Sequence, residues 1–282
     1  MVARSSELDE SFRYCRSITR QASSTFYLAS RLFPQDVRRD LYALYAFCRV
    51  VDDIADAPGL DDSTRAQELD LLGHTLKTER YSEGDKLWPA FFEVVRRHTI
   101  TKQCFFDLLK GVRRDIAPFK VRNTADLDEY SYLVAGTVGI MCAHVLGKPT
   151  AKTLNGAKEL GIAMQYTNIM RDVSADASIG RVYLPLELMT KHGLSTEDVL
   201  ATKKPAALAA VLAELAKIAN EKYATAYKAI DFLEPSNRRA VKVACNLYSG
   251  ILQRIEQKDY KVYNTRIRLS FARKLMVVII TR

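Results

Sequence analysis

The sequence predicts an all-α protein. Apolar residues recur at three- and four-residue spacing along nearly the whole chain, and sustained two-residue alternation is rare. Glycine (12) and proline (8) are both sparse among 282 residues, so few breakers interrupt the helical pattern. No Gly/Ser/Pro-rich linker, internal repeat or low-complexity tract appears. Residues 1–282 therefore read as a single domain, with 48% hydrophobic residues to supply its core.

In chain order, the pattern predicts a first helix over 7–30. Pro34 suits a helix start, where its missing N–H and fixed φ cost nothing. A long helix follows over 35–57, ended by Pro58-Gly59. Further helices are predicted over 61–80, 84–99, 101–115 and 124–147, with Lys148-Pro149 breaking the last. Another long helix covers 150–174, Ile179 to Pro185 form a loop, and short helices continue to 201. Three long helices fill 205–233, 236–259 and 265–281, with Pro235 at one junction.

The balance is basic, 42 Lys and Arg against 33 Asp and Glu, for a net charge of +9. Such an excess suits nucleic acid, an anionic membrane or an anionic small substrate. The basic residues are scattered, densest at Arg96-Arg97, Arg113-Arg114, Arg238-Arg239 and from Arg266 to Lys274. No nucleic-acid motif accompanies them, so nucleic acid is not an expected partner. Cys15, Cys48, Cys104, Cys142 and Cys245 are an odd, scattered set with no CxxC pair, which predicts free thiols and a reducing, cytoplasmic setting. His74, His98, His144 and His192 have no zinc-ligand spacing. Residues 1–12 are polar and charged, unlike a signal peptide. The apolar run from Leu275 to Ile280 is too short to span a bilayer. Core packing is its expected use, with contact to a membrane surface as the alternative.

Two short acidic clusters carry the chemistry. Asp52-Asp53-Ile54-Ala55-Asp56 and Asp172-Val173-Ser174-Ala175-Asp176 each place their outer aspartates four residues apart, one turn along a single helix face. Both lie near predicted helix C-termini, where the macrodipole is already negative. Like charges in that setting need a counter-charge, and a hard cation such as Mg2+ takes carboxylate oxygens while bridging to substrate phosphate. Tyr45 and Arg49 share the face of Asp52 and Asp56. Gln165 and Asn168 share the face of Asp172 and Asp176, a poor core surface but a good set of oxygen ligands. Arg49, Arg171 and Arg181 are near enough in sequence to pair with these acids or to grip phosphate.

Together with these clusters, five stretches occur in a distinctive order: Ser23-Ser24-Thr25-Phe26-Tyr27, Tyr45 to Asp56, Tyr132-Leu133-Val134-Ala135-Gly136-Thr137-Val138-Gly139, Gln165 to Val173, and Gly180-Arg181-Val182-Tyr183-Leu184-Pro185. Across about residues 12–275 the chain resembles the squalene and phytoene synthase family, the head-to-head prenyl diphosphate synthases, and phytoene synthases most. The resemblance implies an all-α isoprenoid-synthase helical bundle with a central apolar cavity. It also implies that Asp52, Asp53, Asp56, Asn168, Asp172 and Asp176 hold Mg2+, with Mn2+ as a substitute. Arg49, Arg171, Arg181 and Arg266 would neutralise diphosphate, and Tyr45, Tyr183 and Tyr248 would lie near the ionising group. Ser23 and Phe26 would line the mouth, and Tyr132, Val134, Ala135, Gly136 and Gln165 the cavity. Three positions depart from the usual pattern: Ala175 stands where many relatives have an acid, Ser24 near a usual basic residue, and Ile179 where Arg is frequent.

The implied reaction joins two identical allylic diphosphates through a cyclopropylcarbinyl diphosphate to a 1–1′ linked hydrocarbon. Geranylgeranyl diphosphate giving phytoene is the favoured reading, and farnesyl diphosphate giving dehydrosqualene or squalene the alternative. NADPH is not expected, since no nucleotide fingerprint occurs and the C-terminal sequence, lacking a membrane helix, fits the phytoene type. A non-catalytic relative acting in assembly is a third reading, opposed by the retention of both aspartate pairs. An extremely apolar product implies a cytoplasmic protein that visits a membrane surface, its basic excess favouring anionic lipid.

Overall fold

A computed structural model describes residues 2–57, 59–116, 120–147, 149–263 and 266–281. Fourteen α-helices, one π-helical turn and one 3-10 turn make up the regular structure among these residues, and no strand occurs. Pro58 and Lys148, two expected helix breakers, lie outside the described residues.

Capping explains most departures from the predicted boundaries. The first predicted helix is two: α1 (Val2–Ala22) and α2 (Ser24–Ser30). Ser23 separates them because its side chain accepts the Phe26 N–H, an N-cap that restarts the helix at a new angle. Helix α3 (Gln35–Asp56) starts just after Pro34, and α4 (Asp62–Thr78) is capped by Asp61. Helices α5 (Trp88–Arg97) and α6 (Gln103–Arg113) are shorter than their apolar patterns suggested. In α5 the delay has a clear cause, because the Asp85 carboxylate accepts the Leu87 N–H in the preceding turn.

The segment predicted as one helix over 124–147 is divided into α7 (Thr124–Ser131), a π-helical turn (Tyr132–Gly136) and α8 (Thr137–Val145). Helix α9 (Ala151–Ser178) begins at a Thr150–Thr153 capping box and runs a full turn past its predicted end. Both Asp172 and Asp176 therefore lie inside it. Short helices α10 (Leu186–Lys191) and α11 (Thr196–Leu200) follow the loop. Pro205 and Pro235 open α12 (Pro205–Ala229) and α13 (Pro235–Glu256), with a 3-10 turn (Ile230–Phe232) between them. The last element, α14 (Phe271–Ile280), starts six residues later than predicted, at a Ser270 cap.

The core lies in two regions. Phe47, Phe91, Phe105 and Trp88 centre the first, built from α1, α3, α5 and α6. Helices α9, α12 and α13 form the second, around Tyr166, Met170, Leu212 and Leu215. Val134, Leu233 and Val241 pack against both regions and mark the seam between them. All five cysteines are free, as expected.

Close backbone contact fixes the seam. A Cβ on Gly161 of α9 would lie 2.2 Å from the Ala135 carbonyl oxygen in the π turn, and one on Gly139 of α8 would lie 2.1 Å from the Ala157 carbonyl oxygen. These glycines let α8 and the π turn sit directly on the long helix that carries Gln165, Asn168, Asp172 and Asp176.

One expectation is overturned. The run from Leu275 to Ile280 does not enter the core, for α14 contains no buried residue. Its inward side rests shallowly on α13, and its apolar outer side faces solvent.

The packing at the seam predicts a contrast between two glycines. Gly161→Ala should destabilise the fold by about 1–3 kcal/mol, because backbone rather than a flexible side chain blocks the new methyl. Gly73→Ala on α4, whose Cβ would meet Leu109 at an ordinary 3.6 Å, should stabilise by about 0.5–1 kcal/mol through helix propensity. Urea unfolding of the two variants checks both signs.

Candidate active site

The two acidic pairs stand at the last turns of α3 and α9, where unpaired carbonyls add to their negative potential. The loop after α9 folds back over its helix end. Gly180 adopts φ +78°, and the Arg181 N–H donates to the Asp176 carbonyl at 2.9 Å. This aims the Arg181 guanidinium across the site, where it donates to Asp56 Oδ1 at 3.0 Å and to the Asp115 carbonyl at 3.1 Å. The ends of α3, α6 and α9 are thereby joined by one side chain.

Asp115, just beyond α6, is the hub that the sequence did not disclose. The Tyr183 hydroxyl donates to its Oδ1 at 2.8 Å, and the Tyr130 hydroxyl approaches both carboxylate oxygens at 2.9 and 3.0 Å. The two tyrosine rings stack at 5.1 Å. Burial raises the Asp115 carboxyl, while the tyrosine bonds and Arg181 oppose the rise. Asp115, Arg181 and Tyr183 also line a cavity of about 360 Å³, together with Arg65 and Arg114. Neither Asp115 nor Tyr130 carries a local signal: Asp115 reads as the acid after a basic pair, and Tyr130 as one aromatic on an amphipathic helix.

Asp172 is neutralised most completely. Arg171 donates to it at 2.9 and 2.5 Å, and Arg266 at 2.8 and 3.0 Å. Burial works against its charge, but these arginines outweigh burial and hold the carboxyl below its ordinary value. The Ser174 hydroxyl donates to the Tyr263 carbonyl at 2.8 Å, which ties α9 to the segment after α13. The Tyr248 phenol lies close to Arg171 and Asp172; burial raises it.

Asp52 and Asp176 differ from Asp172, because among the described residues no arginine bonds to either. Burial raises Asp52 to about 7, with Asp56, Asp115 and Asp53 adding to the rise and Arg49 opposing it. Burial likewise raises Asp176 to about 7, and Asp172 and Asp115 add to it. Asp52 is solvent-accessible yet strongly desolvated by surrounding protein, which is the environment of a cleft wall rather than an open surface. The shared influence of Asp115 on both aspartates places the two clusters around one space.

The remaining predicted residues divide into two groups. Near the mouth, Phe26 stacks on Tyr45 at 5.0 Å, with the Ser23 hydroxyl beside the Tyr45 phenol. Arg49 pairs with Asp53, an exposed residue turned along the helix surface. Asn168 donates to Gln165 Oε1 at 3.4 Å, continuing the polar face of α9. Deeper in the fold, Val134 sits on the seam, Ala135 offers its carbonyl to the Gly161 contact, and Gly136 ends the π turn. Tyr132 donates its hydroxyl to Asp107 on α6 at 3.1 Å.

Among the described residues, no three acidic, histidine or cysteine side chains converge on a single cation position. The donor set still fits Mg2+, which binds through one or two carboxylates per ion and keeps several waters for substrate phosphate to replace. Two desolvated carboxylates without arginine partners are the groups that such a cation would satisfy.

A sequence profile described as squalene/phytoene synthase matches residues 19–273. The chain is 34% identical over 280 residues to phytoene synthase 2 of Solanum lycopersicum, covering 96% of this chain and 89% of that protein. It is 33% identical over 283 residues to the phytoene synthase of Arthrospira platensis, covering 95% and 91%. A solved dehydrosqualene synthase in complex with ligand superimposes with a TM-score of 0.88 at 32% identity, over 98% of this chain and 96% of that one. A squalene synthase from Alicyclobacillus acidocaldarius, 24% identical with a TM-score of 0.82 over 90% of this chain and 96% of that one, shares the fold. Arranged on this scaffold and matched over nearly its full length, the chain belongs to the squalene/phytoene synthase family and is a prenyltransferase.

Proposed function

We propose that this prenyltransferase condenses two geranylgeranyl diphosphates head to head into phytoene, for carotenoid biosynthesis, in a Mg2+-dependent reaction that needs no NADPH. The observation that carries the reading is the meeting of two aspartate pairs with Arg49, Arg171, Arg181 and Arg266 at one desolvated mouth. Such a site suits a trianionic headgroup and its cations, and the partly buried apolar side chains of Val134, Leu233 and Val241 deeper in the fold are surroundings compatible with a prenyl chain. The choice of a 20-carbon substrate rests on the relatives named phytoene synthases. The likeness to a dehydrosqualene synthase favours farnesyl diphosphate as the second reading.

Asp52 and Asp56 on one rim, and Asn168, Asp172 and Asp176 on the other, would hold Mg2+. When bound, Mg2+ would draw charge from the diphosphate oxygens and make diphosphate a better leaving group. Arg171 and Arg266, which bond to Asp172 in this structure, would bind phosphate oxygens when substrate is present, and Asp172 would then be available to hold the cation. Asp115 keeps Tyr130 and Tyr183 fixed beside the site as positioning residues. The acceptor double bond attacks the allylic cation of the donor, proton loss closes the cyclopropylcarbinyl diphosphate, and a second ionisation with rearrangement gives the 1–1′ bond. Proton loss ends the sequence as phytoene. Phe26, Tyr45 and Tyr248 present aromatic faces that stabilise passing cations and exclude water. The hydrocarbon product leaves for lipid, so the enzyme works at a membrane surface.

Supplying each substrate with Mg2+, with and without NADPH, and identifying the hydrocarbon by mass spectrometry tests this reading. Phytoene from the 20-carbon substrate, unchanged by NADPH, is expected. A 30-carbon product alone would favour the second reading, and no diphosphate release from either substrate would remove both. Asp52→Ala and Asp172→Ala should each abolish turnover while circular dichroism shows the helices intact; normal turnover in both would exclude these acids as metal sites.

Stability should respond to pH and Mg2+ together. Asp52 and Asp176 keep protons up to about pH 7 in the folded chain, whereas unfolded aspartate loses its proton near 4. The folded state thus binds more protons than the unfolded across that window. These two groups therefore favour folding at low pH and lose that contribution as pH rises through about 7. Thermal melts should show Mg2+ stabilising more at about pH 8 than at about pH 6. Asp52→Asn/Asp176→Asn should lose most of this dependence; an equal Mg2+ effect at both pH values would count against the site.

A further inference from the structure

The apolar outer side of α14 is not accounted for by the core or by the reaction. Its exposed positions are Phe271, Ala272, Leu275, Met276, Ile279 and Ile280, without one polar residue among them. Phe271 is 73% exposed, Ile279 65% and Ile280 66%. The half-buried positions are Arg273, Lys274, Val277 and Val278, so the helix is turned with its basic residues toward the protein and its apolar face outward.

The orientation is firmly built. Val277 and Val278 pack against a small cluster of Ala29, Val243, Leu247 and Leu269. Arg239 on α13 donates to the Val278 and Thr281 carbonyls, both at 3.1 Å, and Asn246 donates to Thr281 Oγ1 at 3.0 Å. These bonds satisfy the carbonyl end of α14 and fix its rotation. The outward face is thus a consequence of the tertiary structure.

We infer that α14 is an interfacial helix that seats the enzyme on an anionic lipid bilayer with the active-site mouth beside the lipid. The role deepens the prenyltransferase reading proposed above and rests on it for the nature of the cargo. Charge complementarity identifies the occupant. From Tyr260 to Ile280 the sequence carries no acidic residue to oppose an anionic surface. Arg268, just before α14, and Arg31, at the end of α2, are exposed beside this surface. An apolar helix face with basic flanks is the composition that enters the headgroup boundary of anionic membranes.

Continuity with the mouth supplies the second argument. Arg266, bound to Asp172, lies only a few residues before the Ser270 cap of α14. Helix α2, which carries Phe26, contributes Ala29 to the cluster beneath α14 and exposes Leu28, and Leu32 in the turn after it packs on the same cluster. Helix α13, the seat of α14, carries Tyr248. The apolar surface therefore adjoins the elements that form the mouth, so a water-insoluble prenyl chain passes between site and bilayer without crossing bulk water.

Flotation of the full chain, without substrate, on phosphatidylglycerol/phosphatidylcholine vesicles and on pure phosphatidylcholine vesicles tests this. Binding to the anionic vesicles is expected. Leu275→Ser/Ile279→Ser should lower it at least about tenfold, the loss expected when two aliphatic side chains leave an apolar phase. Both changed residues are exposed, and the thermal melt should be unchanged. Turnover in detergent micelles should match the parent, while product transfer to vesicles slows. Equal vesicle binding by parent and variant overturns the inference. So does a parent that stays unbound, or that forms a dimer which the double substitution dissociates. Vesicle binding needs no turnover and detergent turnover needs no vesicle, so failure of the docking role and failure of the reaction are separately visible.

Discussion

The structure depends on how negative charge is held at two helix C-termini. Asp52 and Asp56 close α3, and Asp172 and Asp176 close α9, where each dipole already concentrates negative potential. Asp115 brings a further, half-buried carboxylate between them. Packing these groups around one space costs free energy, and the protein offsets that cost unevenly. Arginine bonds satisfy Asp172 and Asp56, tyrosine hydroxyls satisfy Asp115, and Asp52 and Asp176 are left to hold protons near neutral pH. An arrangement so poor for an empty fold suits the cation-bearing diphosphate proposed as its ligand.

The scaffold that tolerates this strain is a long, rigid axis. At 28 residues, α9 extends about 42 Å at the usual rise per residue. Its length lets one helix present the oxygen face at its end while Gly161 and Ala157 lock its middle against the π turn and α8. The π turn is a local irregularity of the kind that gathers at functional sites. Here it widens one turn of backbone where Val134 meets both core regions. Rigid packing behind the aspartates fixes their separation, and Arg181 ties that separation to the ends of α3 and α6.

On the far side of α13 the same economy of placement recurs. Helix α14 rests on the small cluster beneath it through Val277 and Val278, and Arg239 fixes its rotation. The proposed lipid contact and the diphosphate site are thus built on the two sides of one helix, α13, with α2 reaching both. A soluble headgroup and an insoluble chain require opposite surroundings, and this arrangement offers them at adjoining surfaces.

Much of the site was legible in sequence because its parts are local. Aspartates four residues apart on one helix, with Tyr45 and Arg49 before one pair and Gln165 and Asn168 before the other, declare a polar face by spacing alone. Helix type was equally legible from apolar periodicity, and the starts at Pro205 and Pro235 from proline's fixed φ. The break at Ser23 and the π turn were not, since each depends on a cap or a close contact competing with a continuous helical pattern. Asp115 and Tyr130 were hidden because their roles come from residues up to 68 positions away in the chain. For α14, the apolar run had two possible destinations, core or surface, and composition is the same for both. Sequence determined which faces are acidic, oxygen-rich or apolar, because side-chain spacing along a helix is fixed by its pitch. Only the tertiary structure decided which faces meet and which remain open, because that depends on long-range packing and on the few long-range hydrogen bonds that set each helix's rotation.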